Sequence, residues 1–411
     1  MRNLPLPLVP FTRFSALILL AIGYLLSACH FSSEPAAPFA DFEEQESTMI
    51  CWNEKHKYVL ISLISQISQH DQVHLFYNEN YHVPGTIIAQ LAGSRANLDH
   101  IYLTPFRLDK DNIWIRDYGP AFIQDSHDET GTVGFAYPHL EFTDYQNFGH
   151  FFSDRAKLPF QRSHMYSVGG GREVNGQGTI ILIEGFEKVI NPDMSKAEIE
   201  AEYQRQFGQT RVIWLKKGIP QDDFMGYGPV LDNIYGHGTN WHVDEFCRFA
   251  DAQTILLAEV SSEDVARHPF YQLIHDRLEE SYQILKQSTD QDGQPFRIIR
   301  VPQAPVFFAA GHIDTTSILY TPVTSYLNFA LTNKSVIVPT YHADDAPEYV
   351  RRKDEAAIEK FQEIFPNREV LTVPALELNY DGGGLHCVTL SKPKKRFKKR
   401  LSLVSDRRKV S

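Results

Sequence analysis

The sequence predicts an α/β fold, because short segments rich in β-forming residues alternate with longer segments of helical periodicity. Apolar residues make up 43% of the 411 positions, which is enough to build a large core. Residues 50–390 contain no long linker, so they are expected to fold as one body.

Several segments are predicted as strands because β-branched and aromatic residues dominate them. They are Gln72–Tyr77, His100–Thr104, Thr132–Tyr137, Thr179–Glu184, Arg211–Leu215, Thr254–Val260, Phe296–Val301, Ser335–Pro339 and Glu369–Val373.

Helices are predicted between these strands. Ser195 and Glu198 form a capping box, which opens a helix that ends near Phe207. Apolar residues recur at helical spacing in four further segments, Tyr58–Ile67, Thr86–Leu91, Val265–Lys286 and Pro347–Phe365. The alternation gives about five strand–helix–strand units, and it leaves open whether they form one sheet or several sheets around an axis.

The first residues have the pattern of an export signal. An apolar run, Leu17–Leu26, is too short to span a membrane comfortably and leads into Leu26-Ser27-Ala28-Cys29, which looks like a bacterial lipobox. Residues 1–28 are therefore expected to be a lipoprotein signal peptide, Cys29 a lipidation site and residues 29–49 a tether. The protein is then expected to be exported and membrane-anchored, on the periplasmic or cell-surface side. An ordinary signal peptide, cut near Ala28, is the alternative.

Charge is unevenly distributed along the chain. The net charge is −11, yet Lys392–Ser411 holds ten Lys or Arg and one Asp, which leaves about −20 on the rest. So acidic a body disfavours nucleic-acid binding, which needs a basic face. We predict that residues 392–411 form a solvated tail, with contact to anionic lipid or a surface polymer as the alternative.

Three cysteines, Cys51, Cys247 and Cys387, remain in the predicted body, residues 50–391. Their wide spacing does not suggest a disulfide framework, and no CxxC or HExxH motif predicts a metal site. Cys247 lies in an alternating stretch and is expected to be a buried strand residue. Cys387 follows three glycines, which would let the backbone approach a ligand closely.

Four segments carry residues capable of chemistry: Asp111–Pro120, Gly236–Asp244, Ser325–Asn328 and Asp381–Cys387. In the second segment, His242 and Asp244 would share one face if the segment were a strand. Taken singly, each segment is more often structural than catalytic. Together they supply a thiol, a histidine and carboxylates, a set that suits a planar guanidinium cation.

These segments resemble the agmatine deiminase and Porphyromonas-type peptidylarginine deiminase family over about residues 50–392. The matching motifs are Arg116–Pro120, Gly169-Gly170 with Gly176–Thr179, Asn191-Pro192, Val212–Leu215, His242–Asp244 and Gly382–Cys387. The resemblance implies a five-bladed α/β propeller of pentein type, built from ββαβ units around a pseudo-fivefold axis.

The resemblance also implies roles for individual residues. Cys387 matches the nucleophile, His242 the general acid and base, and Asp117 and Asp244 the carboxylates that hold the guanidinium. Asn328 matches a polar residue near the site, and Trp114 is assigned with it to substrate binding. The implied reaction is hydrolysis of agmatine, arginine or peptidyl-arginine to a ureido product and ammonia through a covalent cysteine intermediate, with no metal and no organic cofactor.

One position departs from the family pattern. Agmatine deiminases usually have Glu immediately before the Gly-Gly pair, where this chain has Val168, and Glu173 is a nearby candidate to replace it. Two other functions therefore stay open. One is a non-catalytic surface protein that binds guanidino compounds; the other is a cysteine peptidase, which the paired carboxylates disfavour.

Overall fold

Strands and helices alternate along the computed structural model, which describes residues 36–396. Its strands are β1 (Ala37–Pro38), β2 (Gln45–Cys51), β3 (Val73–Asn78), β4 (Ile101–Phe106), β5 (Ala121–Gln124), β6 (Thr130–Ala136), β7 (Phe160–Tyr166), β8 (Arg172–Val174), β9 (Thr179–Ile183), β10 (Arg211–Leu215), β11 (Ile234–Gly236), β12 (Cys247–Asp251), β13 (Thr254–Glu259), β14 (Arg297–Pro302), β15 (Ala309–Ile313), β16 (Thr316–Thr321), β17 (Ala330–Leu331), β18 (Ser335–Thr340), β19 (Glu369–Pro374) and β20 (Leu390–Pro393).

The α-helices of the same residues are α1 (Lys57–Ile67), α2 (Pro84–Ala92), α3 (Ile115–Tyr118), α4 (Phe148–Ala156), α5 (Glu184–Ile190), α6 (Lys196–Phe207), α7 (Ser262–Arg267), α8 (Pro269–Gln287), α9 (Glu348–Ile364) and α10 (Leu376–Asn379). The α/β class predicted from the sequence is confirmed.

Five sheets share one pairing pattern, in which the middle strand has an antiparallel neighbour on one side and, after a helical crossover, a parallel neighbour on the other. They contain β20-β2-β3, β5-β6-β7, β8-β9-β10, β12-β13-β14 and β17-β18-β19, with β4 and β1 added at the edges of the first two. In the first of them the antiparallel neighbour, β20, comes from the end of the described chain. Parallel neighbours need such a crossover, because a tight turn reverses the chain and can join only antiparallel strands. A sixth sheet, β11-β16-β15, stands apart from this pattern, and no sheet within residues 36–396 closes on itself.

The predicted helix over Val265–Lys286 is wrong in one respect, because it is two helices. Pro269 lacks an N–H donor and cannot continue the first helix, so α8 begins at this proline. His268 caps the new helix, its Nδ1 accepting a hydrogen bond from the backbone N–H of Phe270 at 3.1 Å. The capping box of Ser195 and Glu198 is present as predicted.

The predicted tether extends too far into the folded body. Residues 37–38 pair with β5, and β2 lies inside a sheet between β20 and β3, so the chain is folded well before residue 50. The strand was missed because Gln, Glu and Ser occupy its first half, although Met49, Ile50 and Cys51 are fully buried.

The predicted basic tail also begins too early. Leu390–Pro393 forms β20, and Lys392 and Lys394 lie 2.5 and 2.6 Å from the carboxylates of Glu46 and Glu44. The strand forms because the open edge of β2 needs backbone partners. Residues 1–28, Cys29 and residues 397–411 lie outside the described residues. No helix within residues 36–396 has the length and apolar character needed to cross a membrane.

Candidate active site

Cys387 lies at the centre of the candidate site, in the glycine-rich loop after α10, and its side chain is buried. Its Sγ is 3.2 Å from Nδ2 of Asn328, 3.7 Å from Oε1 of Glu245 and 3.9 Å from Oδ2 of Asp244. A Cβ at Gly383 would lie 3.1 Å from Sγ and 2.6 Å from the Trp114 ring. The glycine therefore lets the loop pass between the thiol and the indole.

Asp117, His242 and Asp244 meet around a second glycine, Gly170. A Cβ at this position would lie 2.7 Å from His242 Nδ1, 3.0 Å from Asp244 Oδ2 and 3.1 Å from Asp117 Oδ1. The Gly170 N–H donates to Asp117 Oδ1 at 3.0 Å, and its carbonyl accepts from the Asp244 N–H at 3.2 Å. The structure thus brings together the four residues assigned catalytic roles from the sequence.

His242 and Asp244 do not lie on a strand, so their proximity does not come from a shared strand face. Val243–Glu245 is a 3₁₀ turn that His242 precedes, and the two preceding residues, Asn240 and Trp241, have φ of +76° and +82°. Residues with side chains rarely adopt such angles, so the surroundings must hold this loop.

Asp222 and Trp241 hold the loop in that conformation. Buried Asp222 accepts hydrogen bonds from the backbone N–H of His242 at 2.6 Å and from Thr239 Oγ1 at 2.9 Å. Trp241 donates its indole N–H to Asp223 and packs so closely on Gly185 that a Cβ there would overlap the ring. The position of His242 is therefore fixed through its backbone.

The imidazole of His242 has no hydrogen-bond partner among the described residues, although its side chain is 1% exposed. Its Nδ1 lies 3.9 Å from Asp117 Oδ1, and the edge of its ring contacts Phe186. Burial lowers the pKa of His242, while the charge of Asp117 raises it. Both ring nitrogens are thus available to a bound substrate.

Acidic groups crowd the site. Burial, followed by the charges of Asp244, Glu245 and Asp117, raises the pKa of the Cys387 thiol well above its usual range. The pKa values of Asp244 and Glu245 are also raised, mainly by burial and then by a neighbouring carboxylate. Without a bound cation, the site therefore disfavours the simultaneous ionisation of these acidic groups. A cation placed among them would favour their anionic forms.

A cleft of about 210 Å³ leads to Cys387. Its lining includes two predicted residues, Trp114 and Asp117, and three residues of the segments described above, His237, Thr239 and Asp381. Tyr137, His139 and Phe142 also line it and were not predicted from the sequence. Asp381 also pairs with Lys55 and with His56 Nε2, which is 2.7 Å away. Asn328 lies behind the thiol and is fully buried.

Val168 packs in the apolar core and is 1% exposed. Glu173, the candidate replacement for the missing glutamate, does not line the cleft. Its Oε1 lies 2.6 Å from Arg248 Nε, and its Oε2 accepts from the Phe249 N–H at 3.2 Å. That candidate role for Glu173 is therefore wrong.

Three residues close to the site were missed from the sequence: Asp41, Glu245 and His386. Glu245 and His386 directly follow or precede assigned residues, so their position beside the motifs was the available signal. Asp41 had no such signal, because it reaches the site only through the folding of residues 36–46. Two groups of side chains have the spacing of metal ligands, Asp244-Glu245-Cys387 and Asp41-Glu173-His386. Arg116 and Arg248 bind Asp41 in the second group and disfavour a cation there.

Comparisons with known proteins agree with this geometry. A sequence model of the Porphyromonas-type peptidyl-arginine deiminase family matches residues 38–393. An agmatine deiminase of Pseudomonas fluorescens is 28% identical over 332 residues, which span 74% of this chain and 81% of the relative. The solved agmatine deiminase of Enterococcus faecalis superposes with a TM-score of 0.71 at 22% identity, covering 88% of this chain and 96% of its own. That of C. jejuni gives 0.67 at 19% identity, covering 90% and 99%. The chain has the α/β pentein fold of these structures, and it belongs to the Porphyromonas-type peptidyl-arginine deiminase family.

Proposed function

We propose that this protein hydrolyses a guanidino compound to a ureido product and ammonia, with Cys387 as the nucleophile. The observation that carries the proposal is the convergence of this thiol with His242, Asp117 and Asp244 at the end of one cleft. A guanidinium is permanently charged and presents a planar set of N–H donors, which two carboxylates can accept. The relatives named agmatine deiminases support this reaction, and no relative supports a non-catalytic binding protein.

The reaction begins when Asp117 and Asp244 bind the guanidinium in front of Sγ. The bound cation offsets the burial and the neighbouring negative charges that raise the pKa of the thiol, so the S–H proton passes to His242 and the thiolate attacks the central carbon. His242 gives a proton to the leaving nitrogen, the C–N bond breaks and ammonia departs. Water then attacks the covalent amidino intermediate with His242 as the base, which breaks the C–S bond and restores the thiol.

Agmatine is the first substrate to test, because several relatives carry that name. Val168 in place of the usual glutamate removes one carboxylate, and Asp381 near Cys387 is already paired with Lys55 and His56. Both features reduce the negative charge available to a substrate with two positive charges, such as agmatine. We therefore include free arginine and peptidyl-arginine among the substrates to be tested.

The arrangement of the sheets is part of the proposal. Five sheets repeat one pairing pattern, and each supplies one unit of the five-bladed propeller expected from the family resemblance. In this arrangement, loops from different units would meet at the axis. It explains why Asp117, Gly170, Asp244, Asn328 and Cys387 come from five separate stretches of chain.

We also propose that the protein is an exported lipoprotein, anchored through Cys29. The proposal rests on the apolar run that ends in Leu26-Ser27-Ala28-Cys29. A surface position would suit the use or modification of external arginine groups. Incorporation of labelled lipid that is lost in Cys29→Ser is the expected result, and label that persists in this variant would contradict the anchor.

Product formation tests the reaction directly. A chain beginning after Cys29 would be assayed for ureido product and ammonia with agmatine, arginine and peptides containing internal or C-terminal arginine. We expect turnover of at least one compound and none by Cys387→Ser. Folded protein that turns over no compound would contradict the proposal.

A further inference from the structure

His386 connects the substrate-binding carboxylate Asp244 to Asp41, a residue of the segment that precedes β2. Its Nδ1 lies 2.5 Å from Asp244 Oδ2, and its Nε2 lies 2.6 Å from Asp41 Oδ2. The ring of His386 is 2% exposed and Asp244 is fully buried. These three side chains therefore form a continuous hydrogen-bonded row behind the nucleophile.

The geometry restricts where protons can be. A neutral imidazole has one N–H donor and one acceptor nitrogen, so it cannot donate to two carboxylates at once. Either His386 is an imidazolium between two carboxylates, or it is neutral and one carboxyl is protonated. In both states, the three side chains together carry one proton more than they would if both carboxyls were ionised and the imidazole were neutral.

Charged groups around the row favour the second state when the site is empty. The groups that face it are Arg116, Asp117, Glu173, Glu245, Arg248 and the Cys387 thiol. Burial, followed by the Arg116 and Arg248 charges, lowers the pKa of His386, while burial and Asp117 raise that of Asp244. Against the effect of burial, Arg116 and the neighbouring His386 keep the pKa of Asp41 well below its usual range. The proton therefore belongs to Asp244, and Asp41 is anionic.

We propose that His386, supported by Asp41, takes up the proton of Asp244 when a guanidinium enters the site. The O–H bond of Asp244 breaks and its electron pair remains on Oδ2. An N–H bond forms at Nδ1 of His386, and the resulting imidazolium donates to Asp41 and Asp244. Asp244 thus becomes the carboxylate that the substrate requires, without releasing a proton to solvent from a buried position. This inference rests on the proposed function, and it makes Asp41 and His386 positioning residues.

Proton counting during ligand binding tests the proposal. The parent is the chain from residue 30 with Cys387→Ala, which removes turnover and the thiol proton. Binding of agmatine, or of N-acetyl-arginine amide as a second probe, is measured by calorimetry in two buffers of different ionisation enthalpy at about pH 6. The difference between the two heats gives the number of protons that the protein releases.

We expect the parent to release almost no proton, and Asp41→Asn to release about one more proton per ligand, because its His386 cannot be held as an imidazolium. Asp41→Glu keeps the carboxylate and should restore the parent result. Glu173→Gln is the matched control, since Glu173 binds the same Arg248 without a hydrogen bond to His386. Burial, which Arg248 opposes, raises the pKa of Glu173 to about 7.

Equal proton release by the parent and Asp41→Asn would overturn the proposal, as would an equal increase in Glu173→Gln. A second measurement needs no change at Asp41. In ¹⁵N-histidine NMR of the parent, the His386 nitrogens should change from a neutral to a protonated pattern on saturation with ligand, and a ring that stays neutral would overturn the proposal. If neither probe nor any other guanidino compound binds, the proposed function fails together with this inference. Binding with an unchanged proton count leaves that function intact.

Discussion

At the scale of single residues, the site is defined by a thiol whose pKa is raised by burial and then by its acidic neighbours. Asp244 and Glu245 both lie within 4 Å of Sγ, so the empty site disfavours a thiolate. A thiol in this state is protected from oxidants, because the thiolate is the reactive form. The positive charge of the substrate therefore has two effects: it holds the substrate in the site, and it activates the nucleophile.

We expect Cys387→Ala to abolish turnover and His242→Ala to lower it by about 10²–10⁴-fold, because these residues supply the nucleophile and the proton transfers. Rates would be measured as ammonia release, with circular dichroism to show that both variants fold. Near-normal rates in either variant would contradict the mechanism.

Glu187, on α5, gives a prediction about stability. Burial raises its pKa to about 8, and Tyr203, Arg172 and Asn191 only partly offset this effect. A raised pKa means that the folded state holds the proton more tightly than the unfolded state. The contribution is complete below the unfolded pKa and is lost as pH rises towards 8, by up to about 1.4 kcal/mol per pH unit.

Glu187→Gln should therefore gain in stability relative to the wild type between pH 5 and 8, as measured by urea unfolding. Glu184→Gln, on the same helix, is the control. Lys188 and Lys196 lower the pKa of Glu184 to about 2, so its replacement should give no such gain over this range. The prediction fails if the two variants show the same trend with pH.

The sequence predicted the candidate reacting residues more completely than the residues that support them. Cys387, His242, Asp117 and Asp244 lie in motifs whose glycines are explained by close packing at Gly170 and Gly383. Asp41 could not be found, because no local pattern links it to residues that come hundreds of positions later. Its role depends on tertiary contacts with His386, Arg116 and Arg248.

At the scale of elements, the loop before the 3₁₀ turn of His242 depends on one tight contact. The ring of Trp241 lies against Gly185 near the start of α5, and both Asn240 and Trp241 have left-handed backbone angles. Local strain of this kind persists only where the surroundings enforce it. A small change in α5 should therefore alter the position of His242.

Gly185→Ala should lower kcat by roughly 10²-fold. Its methyl group would displace Trp241, and the next residue, His242, would then move out of its position beside the substrate. Gly85→Ala is the control, since Gly85 also lies near the start of a helix but a methyl group there would have no neighbour within 4 Å. It should leave kcat unchanged and stabilise the protein by about 0.5–1 kcal/mol. Equal kcat in the two variants would contradict the role of the contact.

The predicted bounds of strands and helices match the observed ones where the local sequence signals agree. Arg211–Leu215 is a strand with the predicted bounds, since its β-forming residues are flanked by polar ones. The prediction of one helix over Val265–Lys286 was wrong, because the apolar periodicity continues through Pro269 although the first helix cannot. The prediction of a tether was wrong for residues 36–49. Polar residues of this segment face a neighbouring strand and a pair of arginines, Arg116 and Arg248, and composition reveals neither contact.

At the scale of the whole molecule, the two ends of the described chain leave the body at the same place. Arg396 donates from Nη2 to the carbonyl of Pro38 at 2.8 Å, and its guanidinium lies over the Phe39 ring. Cys29 is nine residues before Pro38, so a lipid on it would lie within roughly 30 Å of this point. Residues 397–411, which include six Lys or Arg, continue from the same point.

This shared exit leads us to expect that residues 397–411 bind the membrane that would hold the proposed anchor. Each Lys or Arg near an anionic surface contributes about 1 kcal/mol, while the acidic body is repelled. Without lipidation, a chain from residue 30 should bind phosphatidylglycerol vesicles in a sedimentation assay, bind phosphatidylcholine vesicles weakly, and detach as salt rises. Truncation after Arg396 should remove the binding and leave turnover unchanged, because Arg396 and its partner Glu43 remain in place. If the truncated chain binds equally well, the contact belongs to the body, and if neither chain binds, residues 397–411 are a solvated appendage.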